Sequence, residues 1–307
     1  MVDVCLVQVP YMAGDDRHGS SDGPRCLVAA GAAESFIARG VGVTVVAVDR
    51  GEPFSDTASS SAQVNRRLAA AVGSAVGAGQ VPVVLAGSCT ACMGVVGGFD
   101  HAGCGAVWLD AHADFNTPDS TVSGFFPGMS LAVITGHCYR NYWSQIGDST
   151  PLAEETVALF GVRDVSPDAE RQRLERSRVE VVEWCDGRPR SDPIAPLERL
   201  AQHVRDVYLH IDFDAFSPDV APGVADRPVP GGLSIEDAAS IIAATGRRFR
   251  IRAATLATYT PALDQNDKTL RTGLRLLDAI RDALISNTDE HTGSTSSPRA
   301  TDSVRDT

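Results

Sequence analysis

The sequence predicts an α/β protein, a single three-layer domain in which an eight-stranded parallel sheet carries helices on both faces. Eight short apolar runs rich in β-branched residues recur along the chain, and segments with helical spacing separate them. Strands alternating with helices from end to end form one parallel sheet covered on both sides. The polar motifs fall directly after strands, which is the edge where such sheets bind ligands. The 307 residues suffice for one large core of this kind.

Residues 2–9 are the first strand, ended by Pro10 and followed by a polar loop through Gly23. Pro24 suits the first turn of a helix reaching Arg39, with Leu27, Gly31, Ala32 and Phe36 near one face and Gly40 as its stop. Residues 41–48 are a nearly continuous β-branched run, which predicts a strand covered on both faces. A small, polar lead-in at 55–61 precedes a helix carrying Val64, Leu68 and Val72 and ending at Gly77-Ala78-Gly79. The third strand is 81–86, Gly87 to Thr90 is its exit loop, and Thr90 is expected to cap a short helix toward Phe99. The fourth strand leads through Val107-Trp108-Leu109 into Asp110. A loop at 118–127 and a short helix at 128–135 follow.

The fifth strand, 156–162, precedes a charged helix at 167–178, and the sixth, 179–184, precedes a helix at 194–204. The seventh, 207–213, leads through Pro230-Gly231-Gly232 to a helix from Ser234, with Glu236 and Asp237 in its dipole-favoured first turn. Residues 250–257 are the eighth strand, and a final helix at 270–284 presents Leu270, Leu274, Leu277 and Ile280 on one face. From Ser286 onward apolar residues nearly vanish, so the domain is expected to span 1–285 and the tail at 286–307 to be disordered.

The net charge of −12 argues against nucleic acid or an anionic membrane as the main partner. No apolar run is long enough to cross a bilayer and the start lacks the basic residues of a secretion signal, so a cytoplasmic protein is expected. Seven cysteines without paired spacing speak against a disulfide framework, and Cys89-x-x-Cys92 lacks the second pair a zinc site would need.

In Asp110-Ala111-His112-Ala113-Asp114, three metal-type ligands alternate at the end of a buried strand, so an extended backbone turns all three to one face. Such a cluster repels itself and loses hydration unless a cation sits at its centre. Asp212-Phe213-Asp214 repeats the pattern at a second strand end. Four carboxylates and an imidazole exceed the needs of one small cation and suit two divalent ions, with manganese favoured over iron, cobalt, nickel or zinc. A two-metal site of this kind generates hydroxide near neutral pH, so the implied reaction class is hydrolysis.

Asp110-Ala-His112-Ala-Asp114-Phe-Asn116-Thr117-Pro118, Thr121-Val-Ser123-Gly124, Asp212-Phe-Asp214-Ala-Phe-Ser-Pro218 and Pro230-Gly-Gly-Leu233 together resemble the arginase and agmatinase family of ureohydrolases, in motif order over roughly residues 1–285. The resemblance implies an arginase-like fold, a homo-oligomer, and two Mn²⁺ per subunit that hydrolyse a guanidino group to urea and an amine. It implies that Asp110 and Asp212 bridge both ions, that Asp114 completes one, and that His112 with Asp214 completes the other. Asn116 and Ser123 match positions that hold a substrate α-carboxylate in arginases, so an amino-acid-like substrate is expected.

Cys89 stands at a histidine ligand's position, as in hydrolases of Nω-hydroxyarginine that supply hydroxyurea for antibiotic synthesis. A thiolate there would hold manganese less tightly, and the competing assignment is a buried neutral thiol. Pro127 replaces the acid/base histidine, which leaves Asp114 and the nearby His137 as the catalytic candidates, His137 being alternatively structural. Thr258 replaces the glutamate that pairs with the guanidinium, and Ser166 an aspartate for the α-amino group, so plain arginine is not the expected substrate. The expected activity is amidinohydrolysis of an arginine derivative such as Nω-hydroxy-L-arginine. The alternatives are hydrolysis of another C–N bond, formimino or amide, and a non-catalytic binding protein.

Overall fold

A computed structural model describes residues 2–52 and 56–292. Its sheet has nine strands: β1 (Asp3–Val9), β2 (Val43–Ala47), β3 (Gln80–Ala86), β4 (Cys104–Leu109), β5 (Val157–Val162), β6 (Glu180–Cys185), β7 (Arg188–Pro189), β8 (Asp206–Asp212) and β9 (Arg250–Ala257). All eight predicted strands are present and parallel. The ninth, β7, is a two-residue antiparallel return onto β6, too short to leave a periodic signal.

Ten helices accompany the strands: α1 (Gly23–Ala29), α2 (Ala32–Ile37), α3 (Thr57–Gly77), α4 (Cys92–Val96), α5 (Ser130–Ile134), α6 (Arg140–Trp143), α7 (Asp168–Arg176), α8 (Ala195–Leu200), α9 (Ile235–Arg248) and α10 (Lys268–Thr292). The single helix expected at 24–39 is two, because Gly31 turns the chain at φ +101°, a conformation that glycine adopts without a steric penalty. Ser88, not Thr90, caps the turn before α4, its hydroxyl accepting from the Thr90 amide. Ser234 and Asp237 form a reciprocal capping box on α9. The expected lead-in at 55–61 is helical from Thr57, and Ser55 lies outside the described residues. Helix α10 runs past Leu284 to Thr292, so 286–292 are helical, while 293–307 lie outside the described residues.

The strand order is β2-β1-β3-β9-β8-β4-β5-β6-β7. Side chains alternate between two cores. Trp108 of β4 and Tyr208 of β8 enter the one covered by α3, α4 and α5, whereas Leu109 and Ile211 enter the one covered by α1, α2, α8, α9 and α10. Strand β2 departs from expectation: it is an edge with Val45 and Val46 exposed, since β1 is its only partner in the sheet. Among the described residues no helix is long and apolar enough to cross a membrane.

Candidate metal centre

The chain passes from β3 to β4 across a gap that β9 and β8 later fill, which puts the carboxyl ends of β3, β9, β8 and β4 side by side at the middle of the sheet. Register makes the alignment tight. Ala86 pairs with Ala257, Ala257 with Asp212, and Leu109 with Ile211, so Asp110 emerges level with Asp212.

Five of the six candidate ligands are buried and His112 is partly so. Cys89 Sγ, Asp110 and Asp114 bring ligand atoms within 4.8 Å of one another, and Asp110, His112 and Asp214 do the same. Asp110 belongs to both groups. The Cys89 thiol donates to Asp212 Oδ2 at 2.8 Å, which places Asp212 against the first group. His112 Nδ1 lies 2.9 Å from Asp214 Oδ2 and 3.5 Å from Asp110 Oδ1. Asp114 reaches the cluster from a left-handed backbone at φ +49°, a region that Asp tolerates better than most residues.

Backbone amides fix the carboxylates. His112 N donates to Asp110 Oδ1 at 2.8 Å, Ala111 N to Asp214 Oδ1 at 3.0 Å and Asp214 N to Asp212 Oδ1 at 2.7 Å. The Thr258 hydroxyl lies 2.5 Å from Asp212 Oδ1 and the Trp108 indole donates to Asp110 Oδ2 at 3.0 Å.

Electrostatics show what the cluster lacks. Burial first, and the neighbouring carboxylates second, lift Asp110 to about 6 and Asp114 and Asp212 well above the usual carboxylate range. Burial, then Asp212, pushes the Cys89 thiol up. Burial also raises Asp214, but the His112 imidazolium outweighs it and leaves that carboxyl below its ordinary value. Burial lowers His112, yet Asp214 and Asp110 together hold it at about 12. Asp114 Oδ2 and His112 Nε2 are buried without a hydrogen-bond partner among the described residues. Converging carboxylates that cannot all ionise, with an orphaned oxygen among them, fit divalent cations bound by hard oxygen donors and one imidazole.

The candidate ligands line a cavity of about 520 Å³. Asn116, Ser123, Ser166 and Thr258, the residues that the sequence offers for substrate contact, line it, and Pro127 does too. His137 is a correction, because it lies outside the lining: its Nε2 pairs with Glu154 at 2.7 Å and its ring packs edge-on against Phe115.

Sequence reading missed the supporting residues. His210 is fully buried, stacks on Trp108 at 3.7 Å between ring centroids, and sets Nε2 3.3 Å from Cys89 Sγ. Its Nδ1 meets the Tyr208 hydroxyl at 2.7 Å, which donates to Thr255 Oγ1 at 2.8 Å. Trp108 and His210 each precede a ligand by two residues, so strand alternation alone could have put them on the ligand face. Glu170 and Arg227 also line the cavity and come from segments with no motif.

The Arginase family profile matches residues 2–281. Arginase of Bacillus caldovelox is 27% identical over 299 residues, covering 91% of this chain and 98% of that protein. Arginase of Brevibacillus brevis is likewise 27% identical, over 91% of this chain and 97% of its own length. The crystal structure of arginase from Bacillus cereus superposes with a TM-score of 0.82 at 26% identity, covering 92% of this chain and 98% of that one. The nine-stranded sheet with its acidic cluster at the middle strand ends is therefore an arginase fold, and the chain belongs to the arginase family, whose members are metal-dependent hydrolases of amidino C–N bonds.

Proposed function

We propose that this chain hydrolyses the guanidino C–N bond of an arginine derivative, with Nω-hydroxy-L-arginine the best-fitting candidate, to give hydroxyurea or urea and an amine. The observation that carries the reading is a contrast within one cavity. Four carboxylates and His112 converge there, and the lining also holds Thr258 and Pro127, where the resemblance leads one to expect a guanidinium-binding carboxylate and an acid/base imidazole. Without that carboxylate a full guanidinium loses a charge-assisted hydrogen bond, of order 1.5–3 kcal/mol, which a less basic hydroxyguanidine needs less.

Two ions, manganese by preference, would be held by Cys89, Asp110, Asp114 and Asp212 on one side and by Asp110, His112, Asp212 and Asp214 on the other. Bound there, they supply Lewis acidity and lower the pKa of water, the chemistry that attack on a guanidino carbon requires. The chain's own groups do the rest. Thr258 and the backbone amides orient the carboxylates, while Asn116 and Ser123 offer donors to a substrate carboxylate. Asp114, whose Oδ2 has no hydrogen bond among the described residues, takes the proton that water gives up as the new C–O bond forms. It returns that proton to the amine nitrogen as the C–N bond breaks.

The test is a product assay. Purified chain with manganese, supplied with arginine, Nω-hydroxyarginine, agmatine and guanidino acids, is expected to release hydroxyurea from the hydroxylated substrate with the highest kcat/KM. Absence of urea and hydroxyurea from every compound sinks the reading. Thr258 also favours a second one, hydrolysis of a formimino or amide C–N bond, which mass spectrometry of the products separates.

A further inference from the structure

Seven carboxylates line the cavity, and Arg227 is the single lysine or arginine among its lining residues. It sits on the loop between Val224 and Val229, whose ends are fastened. Val224 bridges to Tyr259, and Arg163 donates to the Val229 carbonyl at 2.7 Å. Arg163 itself is spent on backbone carbonyls, those of Gly161, Asp214 and Ala215 among them, so it is no rival for a ligand.

Arg227 Nη2 donates to Asp164 Oδ2 at 2.6 Å and to Ser166 Oγ at 3.3 Å. Both could accept hydrogen bonds from a substrate ammonium, as could Asp226 beside them, and the guanidinium draws on Asp164 Oδ2 and Ser166 Oγ. Its other N–H groups have no hydrogen-bond partner among the described residues and lie at the solvent-facing rim, the side chain being 64% exposed. Two more donors share the cavity. Asn116 Nδ2 uses one N–H on the Ser166 carbonyl and keeps the other, and the Ser123 hydroxyl accepts from Phe125 N while its own proton remains available. Spare donors on Arg227, Asn116 and Ser123 within one cavity favour an anion between them.

We infer that Arg227 anchors a carboxylate at the end of the substrate remote from the carboxylate cluster, so that substrates carrying a carboxylate there are preferred over their decarboxylated counterparts. The inference rests on the cavity being the guanidino site, and it assigns Arg227 to specificity, not to bond breaking. An Arg fork meets a carboxylate with two parallel hydrogen bonds, and a partly exposed pair of this kind is worth about tenfold in affinity.

The test titrates the full chain, loaded with manganese, calorimetrically with two ureido compounds, citrulline and its decarboxylated counterpart. Citrulline is expected to bind about tenfold more tightly. Arg227→Gln is expected to erase the difference, and Arg227→Lys to retain part of it, since lysine keeps the charge without the fork. Equal affinities in the native chain, a preference that survives Arg227→Gln, or no measurable binding of either compound overturns the anchor. Urea and hydroxyurea release, followed separately, judges the hydrolase reading. Failure of release with the carboxylate preference intact overturns that reading alone, and release without preference overturns the role of Arg227 alone.

Discussion

Glu170 ties two loops of the cavity together, accepting from Phe115 N at 2.9 Å through Oε1 and from Ser166 N at 3.2 Å through Oε2. Burial holds its carboxyl at about 7, above the usual 4.5, against the lowering pull of those two amides. The folded state therefore keeps a proton that the unfolded state releases. The stability this contributes is fully present below about pH 4.5 and is lost as pH rises through about 7. Glu170→Gln cannot ionise, so urea midpoints of the two proteins across that window should diverge. The native chain is expected to lose up to about 3 kcal/mol relative to the variant between the ends of the window. A stability difference independent of pH would sink the assignment. Glu170 was not legible in the sequence because one acid in a charged helix announces neither burial nor partner. Asp110, His112, Asp114, Asp212 and Asp214 were legible because alternation along a strand gives such residues a common face by spacing alone. His137 stayed open between a catalytic and a structural role for the converse reason: proximity in sequence says nothing of which side of Phe115 a ring will take.

Strand β5 shows how an element sets the position of a ligand. Its register against β6 shifts between Phe160 and Val162, and Gly161 sits in that irregularity at φ +97°. A Cβ there would meet Leu233 Cδ1 at 2.7 Å and the Asp110 carbonyl at 2.9 Å. Phe160 O accepts from Asp110 N at 2.9 Å, so the strain would pass directly to the backbone that carries the Asp110 carboxylate. Gly161→Ala is expected to cost about 2–4 kcal/mol, from the left-handed conformation and the clash together. Its bound metal should fall below that of the native chain, with urea denaturation and metal analysis as the measurements. Unchanged metal content would show that Asp110 does not depend on the bulge. At this scale the eight parallel strands were readable because runs such as Val157–Val162, buried throughout, leave no alternation to confuse them with helices. The exposure of β2 was not readable, since a β-branched run reports a strand but not how many neighbours it has. The break between α1 and α2 turns on the single left-handed residue Gly31, which helical spacing tolerates without a signal.

Cys89 follows the end of β3, Asp110 follows β4 and Asp212 closes β8, so they lie far apart in sequence, the Cys89–Asp212 contact alone spanning 123 residues, and only the folded sheet assembles them. Ions that bind this cluster therefore bind the native state and not the unfolded chain, and they stabilise it by mass action. At a free metal concentration a hundredfold above Kd the gain is about 2.7 kcal/mol, roughly a 5 °C rise in Tm for a chain of this size. A chelator should remove that increment. The sign of its pH dependence follows from the site: burial holds Asp110, Asp114 and Asp212 above the usual carboxylate range, so protons compete with cations as pH falls. The gap in Tm between manganese-loaded and chelated protein, read by calorimetry, should be wide at pH 8 and narrow toward pH 6, where Asp110 titrates. A Tm indifferent to chelator at both pH values would mean that the cluster is satisfied by its own protons and holds no ion, and the hydrolase reading would fall with it.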